Sequence, residues 1–171
     1  MLPVILLAFT GTAIGAHASD LREATGPQVA AALSNPHPGR TKLVHVWASW
    51  CTPCAAELPR LLPALRKRSA DVDMVLVSLD DRETAQAAAR LLRKFGGAPG
   101  ENLRAATAEA AWAIRALDRS WDGSLPATYI ISSEGRLLLA QRGITDLDAL
   151  LFELDKTPRA NGSTSDRRKQ R

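Results

Sequence analysis

Cys51 and Cys54 are the residues of this sequence best suited to chemistry, because they are its only cysteines and just two residues separate them. A structural disulfide stabilises a fold by closing a long loop, whereas a loop this short removes little entropy from the unfolded chain. A zinc site would need two more Cys or His ligands, and beyond residue 18 the sequence offers only His37 and His45. The spacing therefore predicts a dithiol that cycles with its disulfide, without a bound metal.

The residues on either side predict that the cysteines stand at a junction between a strand and a helix. Residues 43–48 are mostly apolar at consecutive positions, which is typical of a strand buried on both faces. Residues 55–67 carry four leucines at helical spacing. Cys51 would then lie at the amino terminus of the helix, where free N–H groups and the helix dipole stabilise a thiolate. We expect Cys51 to attack disulfides and Cys54, one turn later and facing inward, to be the resolving thiol.

The rest of the sequence predicts alternating helices and strands that end in a hairpin and a final helix. The predicted elements are a helix over 28–33, a strand over 72–79, helices over 81–95 and 106–117, strands over 127–131 and 136–140, and a helix over 146–154. Strands that alternate with helices imply a largely parallel sheet, to which a hairpin adds antiparallel pairing. We expect one α/β domain with a central mixed β-sheet flanked by helices, and core packing for Trp112 and Trp121.

The amino-terminal segment has the composition of an export signal. Residues 2–16 are largely apolar, and Ala-His-Ala at 16–18 is the small-x-small pattern that signal peptidase cleaves. The apolar run is shorter than the roughly 20 residues that span a membrane. We expect residues 1–18 to be a cleaved signal peptide and the protein to be exported to an oxidising compartment such as the periplasm. Because no Lys or Arg precedes the apolar run, an uncleaved anchor is the alternative.

The carboxyl-terminal segment is polar and basic. Residues 155–171 hold six Lys or Arg and two Asp, a net charge equal to the +4 of the whole chain. Because the segment has no aromatic residue to stack on a base, we expect no nucleic-acid partner. We divide the chain into the signal peptide, an N-terminal extension over 19–39, the α/β domain over 40–155, and a basic tail over 156–171 that its composition predicts to be disordered.

Three short motifs resemble one known superfamily. Residues 47–54, with the sequence Trp-Ala-Ser-Trp-Cys-Thr-Pro-Cys, resemble the strand-to-helix active site of the thioredoxin superfamily. Glu57 and Pro59 resemble the C-x-x-E-x-P continuation found in TlpA-like and ResA-like exported thiol reductases. Residues 125–128, with the sequence Leu-Pro-Ala-Thr, look like the cis-proline loop of the same superfamily. The resemblance covers residues 40–155 and implies a thioredoxin-like fold that needs no organic cofactor.

The resemblance also implies how a substrate would bind. A cis peptide bond between Leu125 and Pro126 would face the cysteines, and its loop would offer backbone groups to an extended substrate segment. An ordinary trans proline at the start of an edge strand is the alternative. We assign substrate contact to Leu125 and to the three residues around the nucleophile, Trp50, Thr52 and Pro53.

His45 and Glu57 each have a chemical and a structural interpretation. His45 takes a strand position where thioredoxins carry a buried Asp and TlpA-like proteins often an Asn. It could accept or relay the proton of Cys54, or it could be neutral and hydrogen-bonded in the core. Glu57 resembles the acidic residue beside the disulfide of TlpA-like reductases and could take the proton of the resolving thiol. The alternative is that Glu57 complements the helix dipole.

These observations predict an exported thiol-disulfide oxidoreductase that acts as a monomer on disulfides of other exported proteins. Thr52 and Pro53 carry no charge to stabilise the thiolate, so we expect a reductase, which a membrane electron donor would have to recharge. A Cu(I) carrier that uses the same two thiols, or a non-catalytic module that keeps only the fold, are the alternatives. The motif does not separate cytochrome c maturation, copper-site assembly and general disulfide reduction.

Overall fold

A computed structural model describes residues 21–34 and 40–157 of the chain, and these residues form six strands and five helices. In chain order they are β1 (Arg22–Glu23), α1 (Gly26–Ser34), β2 (Thr41–Trp47), α2 (Thr52–Arg66), β3 (Val72–Ser78), α3 (Ala85–Lys94), β4 (Glu101–Arg104), α4 (Thr107–Leu117), β5 (Ala127–Ile131), β6 (Leu137–Arg142) and α5 (Leu147–Asp155). The α/β class is as predicted.

The six strands form one sheet in the order β1-β4-β3-β2-β5-β6. Neighbours from β1 to β2 pair in parallel, while β5 and β6 pair antiparallel, so the predicted mixed sheet is confirmed. All seven residues of β2 are buried. A central strand covered on both faces needs apolar residues at consecutive positions, which explains the pattern of its sequence.

Two pairs of helices are linked by close contacts. At the end of α2, Arg68 donates a hydrogen bond to the carbonyl of Leu154 in α5. In the other pair, α1 approaches α4 so closely that a Cβ on Gly26 would lie 2.4 Å from the indole nitrogen of Trp112. Only glycine fits at this contact. Trp112 is nevertheless half exposed, so its predicted core position is wrong, whereas Trp121 is buried as predicted.

Two strands are missing from the sequence prediction, and the largest shift of a helix start is that of α3. The sequence does not predict β1, which has only two residues. It also does not predict β4, which has four residues with charged ends and is held as a strand by its ladder to β3. The helix predicted from residue 81 begins at Ala85 instead. The carboxylate of Asp81 accepts hydrogen bonds from the amides of Glu83 and Thr84 and forms a turn ahead of the helix. Asx turns of this kind compete with helix.

The predicted signal peptide over 1–18, part of the N-terminal extension and the tail beyond residue 157 lie outside the described residues. No helix in the described part of the chain is long and apolar enough to span a bilayer. The packed region continues to Thr157, which is buried and whose hydroxyl donates to the carbonyl of Leu154.

Candidate active site

Cys51 occupies the N-cap position of α2, directly after the loop that leaves the central strand β2. Its backbone is extended, with φ −83° and ψ 102°, and its sulfur accepts a hydrogen bond from the amide of Cys54 at 3.2 Å. A proline is favourable in the first helical turn, where its missing N–H would have had no partner, and Pro53 takes such a position. The helix therefore begins directly after Cys51, the residue that the sequence predicts to be the nucleophile.

The two cysteines are joined by a disulfide, and they differ in their access to solvent. Cys51 is 6% exposed, whereas Cys54 is fully buried. Trp50, immediately before the pair, is 57% exposed and gives this end of the molecule an apolar surface. A partner can therefore reach the sulfur of Cys51 more easily than that of Cys54, which is the asymmetry the sequence predicts.

The loop before β5 reaches the same end of the sheet. The Leu125–Pro126 peptide bond is cis, which confirms that prediction. Since Ala127 pairs with Val46 in the antiparallel ladder, Pro126 lies where β2 ends and the loop to Cys51 begins. The carbonyl of Pro126 accepts a hydrogen bond from the amide of Gly143 at 2.7 Å, which ties this loop to the turn between β6 and α5.

A closed ring of polar side chains lies beneath the start of α2. His45 and Thr128 face each other across β2 and β5, with 3.0 Å between Nδ1 and Oγ1. Thr128 Oγ1 lies 2.8 Å from Thr145 Oγ1. Thr145 donates its amide to Glu57 Oε2 at 2.8 Å and its hydroxyl to Glu57 Oε1 at 3.3 Å. His45 Nε2 closes the ring at 3.4 Å from Glu57 Oε1.

Burial sets the electrostatics of this ring. It lowers the pKa of His45 to about 3, so the imidazole is neutral and hydrogen-bonded, as the structural interpretation of His45 predicts. Burial also raises the pKa of Glu57, against the opposing effect of the two hydrogen bonds from Thr145. Glu57 bonds Thr145 rather than the amides at the start of α2, and it shares a helix face with Cys54, three residues earlier.

A second buried carboxylate, that of Asp80, holds the loop between β2 and Cys51. Its Oδ1 accepts from the Ser49 hydroxyl at 2.5 Å, and its Oδ2 accepts from the Ser49 amide at 2.9 Å and from the Ser78 hydroxyl at 2.6 Å. Asp80 was not singled out from the sequence. Its position two residues after the end of β3 is the available signal, because parallel neighbouring strands such as β2 and β3 end at the same edge of a sheet.

The described part of the chain contains no group of three or more His, Cys, Asp or Glu that could hold a metal ion. Cys51 and Cys54 are the residues that would hold a soft metal ion if they were reduced. In this structure both sulfurs are committed to the disulfide.

The chain is similar in sequence to a thiol:disulfide interchange protein. The thiol:disulfide interchange protein HelX of Rhodobacter capsulatus is 26% identical over 118 residues, which are 68% of this chain and 60% of HelX. The chain therefore spans less than two thirds of the length of this curated relative.

Solved structures share the fold. A secreted disulfide oxidoreductase of Mycobacterium tuberculosis, homologous to DsbE of E. coli, aligns with a TM-score of 0.53 and 20% identity over 70% of this chain and 83% of its own. A thioredoxin-related protein from Neisseria meningitidis serogroup B aligns with a TM-score of 0.56 and 21% identity over 70% of this chain and 86% of its own. These likenesses confirm the predicted thioredoxin-like fold.

A match to a protein-family model identifies the family of the chain. The model of the Redoxin family matches residues 10–148, which include both cysteines, the cis-proline loop and the four residues of the polar ring. This match covers well over half of the sequence, and the chain belongs to the Redoxin family.

Proposed function

We propose that this protein is a thiol-disulfide oxidoreductase, with Cys51 as the nucleophile and Cys54 as the resolving thiol. The observation that carries the proposal is the disulfide at the amino terminus of α2, in which Cys51 is the accessible partner and Cys54 is fully buried. The amide of Cys54 points at the sulfur of Cys51 and would stabilise a thiolate there. The likeness to HelX, a thiol:disulfide interchange protein, supports the same activity.

In the reducing direction, the reaction starts from the two free thiols. The thiolate of Cys51 attacks the disulfide of a substrate, one substrate sulfur leaves as a thiolate, and a mixed disulfide forms. Cys54 then loses its proton and attacks the sulfur of Cys51, so that the second substrate sulfur leaves. The protein becomes the disulfide, and two electrons have passed to the substrate.

Glu57 is the proposed acceptor of the proton that Cys54 loses. It lies one turn further along α2 on the same face, and burial raises the pKa of its carboxyl. We assign the extended segment of the substrate to the cis-proline loop at Leu125 and Pro126. Trp50, Thr52 and Pro53, which are exposed around the disulfide, would contact the residues that flank the attacked sulfur.

We further propose that the protein is exported and works as a reductase. The predicted signal peptide and the secreted relative from M. tuberculosis support export. Thr52 and Pro53 add no positive charge to the thiolate. The neutral state of His45 supports this direction, because burial keeps the imidazole uncharged and a protonated imidazole would oppose it. The partners would be exported proteins with disulfides and a membrane electron donor.

Equilibration with glutathione tests the direction of the reaction. The redox state would be followed by tryptophan fluorescence, to which Trp50 beside the disulfide contributes, in a Trp112→Phe variant that removes the other exposed tryptophan. We expect a potential nearer about −270 mV, as in thioredoxin, than about −120 mV, as in the strong periplasmic oxidant. A potential more positive than about −160 mV would make the protein a disulfide donor.

An insulin-reduction assay separates an enzyme from a non-catalytic module of the same fold. The wild-type protein should reduce insulin with dithiothreitol as electron source, and the Cys51→Ser variant should not. Equal rates for the two proteins would show that the dithiol is incidental.

A further inference from the structure

The ring of His45, Thr128, Thr145 and Glu57 has four contacts, and each contact needs one hydrogen to be attractive. The two threonine hydroxyls bring one hydrogen each, and a neutral imidazole brings one more. A carboxylate brings none. Three hydrogens are therefore available for four contacts, and in one of them two lone pairs must face each other.

The observed contacts show where the missing hydrogen belongs. If the Thr145 hydroxyl donates to Glu57, Thr128 donates to Thr145, and His45 Nδ1–H donates to Thr128, then His45 Nε2 carries no hydrogen. Nε2 is fully buried and has no hydrogen-bond partner in residues 21–34 and 40–157, although it lies 3.4 Å from Glu57 Oε1. A buried polar atom without a partner is costly, so this site has an affinity for one more hydrogen.

We propose that Glu57 and His45 together store one proton, which closes the ring as a hydrogen bond between Glu57 Oε1 and His45 Nε2. His45 is then a positioning residue that stabilises the protonated carboxyl, and it does not touch the substrate. The proposal rests on the proposed function in one respect: the stored proton is the one that Cys54 loses when the Cys51–Cys54 disulfide forms. The proton would be held while the Cys51–Cys54 disulfide is present, in the 3.4 Å contact between Glu57 Oε1 and the otherwise unpartnered His45 Nε2.

The surroundings place the stored proton on the carboxyl rather than on the imidazole. Two charged groups lie next to the ring: Arg60, which lines the same small cavity as Glu57, and Asp146, which follows Thr145 and whose carboxylate caps α5 by accepting the amide of Ala149. Burial is the largest influence on both members of the pair, and it disfavours the charged form of each. A neutral carboxyl beside a neutral imidazole meets both conditions.

The number of hydrogens in the ring predicts that removing a threonine hydroxyl lowers the pKa of Glu57, which is the opposite of the ordinary effect. Removing a hydroxyl that donates to a carboxylate ordinarily raises the pKa of that carboxyl. In the ring, Thr128→Val or Thr145→Val leaves two contacts and two hydrogens, because His45 can then donate Nε2–H to an ionised Glu57. The need for an extra proton disappears, so either substitution should lower the pKa of Glu57.

The test is a pH titration of the oxidised full-length protein by NMR, with ¹³C in the glutamate carboxyls and ¹⁵N in the histidine rings. In the wild type we expect Glu57 to titrate clearly above the ordinary value of about 4.3, and the His45 nitrogen signals to shift at the same pH. Thr128→Val should lower the Glu57 midpoint by about one pH unit, since one buried unpaired group is relieved.

Two controls accompany this variant. Thr128→Ser keeps the hydroxyl and should keep the wild-type midpoint. Tyr129→Phe removes the next buried hydroxyl of β5, which points to the opposite face of the sheet, and should also leave the midpoint unchanged. Thr145→Val lies on a partly exposed turn and provides the second measurement if Thr128→Val does not fold.

A Glu57 midpoint near 4.3 in the wild type, or a midpoint that stays or rises in Thr128→Val, would overturn the proposal. The titration uses no substrate and needs no turnover. A protein that reduces insulin but has an ordinary Glu57 midpoint would contradict the proton store alone. A protein with the shifted midpoint that does not reduce insulin would contradict the proposed function alone.

Discussion

Asp80 and Glu57 are two buried carboxylates at the same end of the molecule, and their neighbours differ in kind. Each of the three groups bonded to Asp80 is a donor, two from Ser49 and one from Ser78. Glu57 also has donors, both from Thr145, but its Oε1 faces an imidazole nitrogen that has no partner. The neighbours of the Asp80 carboxylate therefore require it to act only as an acceptor, whereas the neighbours of Glu57 leave a place for a proton.

The difference shows that one end of this fold holds a carboxylate with a structural role and another with a chemical role. Asp80 fixes the loop that leads from β2 to Cys51, and its bonds need no change during a reaction cycle. Glu57 lies beyond Cys54 on the same face of α2, and its surroundings favour a change of protonation. The predictions below are ordered from the largest expected effect to the smallest, and together they separate the two roles.

Replacing Asp80 should have the largest effect on stability. Asp80→Ala leaves the Ser49 amide and two serine hydroxyls without their acceptor, so we expect the free energy of unfolding to fall by about 3 kcal/mol. Urea denaturation of the oxidised protein measures this loss. Glu83→Ala, a change at an exposed carboxylate nearby, is the matched control and should cost little. If both variants had equal stability, Asp80 would have no structural role.

Replacing Glu57 should change how the free energy of unfolding varies with pH more than it changes the magnitude of that free energy. The pKa of His45 is lower in the folded than in the unfolded protein, so its contribution to stability is lost as the pH falls below about 6.5. The pKa of Glu57 is raised on folding, so its contribution is lost as the pH rises above about 4.3. Where both operate, the two slopes oppose each other.

Glu57→Gln removes one slope and leaves the other, while its amide can still donate to His45 Nε2. The free energy of unfolding of this variant should rise by about 1.5 kcal/mol between pH 5 and 6.5, more than that of the wild type. Urea denaturation across this range measures the slope, and Glu83→Gln should behave like the wild type. A Glu57→Gln slope equal to that of the wild type would show that Glu57 titrates as an ordinary surface carboxylate.

Removing one donor to Asp80 should have the smallest effect. Ser49→Ala deletes the hydroxyl but keeps the amide bond, and we expect a loss of about 1 kcal/mol in the free energy of unfolding. In an Asp80→Ala background the same change should cost nothing further, because its partner is already gone. Ser120→Ala, at an exposed serine, is the control. Additive losses in the double variant would mean that the two residues act independently.

The sequence predicts the reactive centre well because its signals are local. The two cysteines, the proline in the first helical turn and the leucine spacing all lie within residues 51–67, and they suffice to predict a helix that begins at Cys51. The cis bond at Pro126 and the roles considered for Glu57 came from a resemblance, since nothing in the local pattern requires them. The structure confirms the cis bond and leaves the assigned roles as proposals.

The remaining features depend on contacts that no local pattern contains. Thr145 is 88 positions away from Glu57 along the chain, so its two hydrogen bonds were not foreseeable from spacing. Strand β4 exists because β3 offers a ladder, despite its charged ends. Trp112 packs against Gly26 where α1 and α4 meet and keeps half of its surface exposed, although its residue type favours burial.

The most direct test of the central claim, that Cys51 attacks and Cys54 resolves, is to trap the mixed disulfide. The reduced Cys54→Ser and Cys51→Ser variants would each be mixed with a protein disulfide such as insulin, and covalent adducts would be measured by non-reducing electrophoresis and mass spectrometry. We predict that Cys54→Ser accumulates an adduct through Cys51, because no resolving thiol releases it, and that Cys51→Ser accumulates little. An adduct that forms equally fast through Cys54 in the Cys51→Ser variant would contradict the assignment of the two roles.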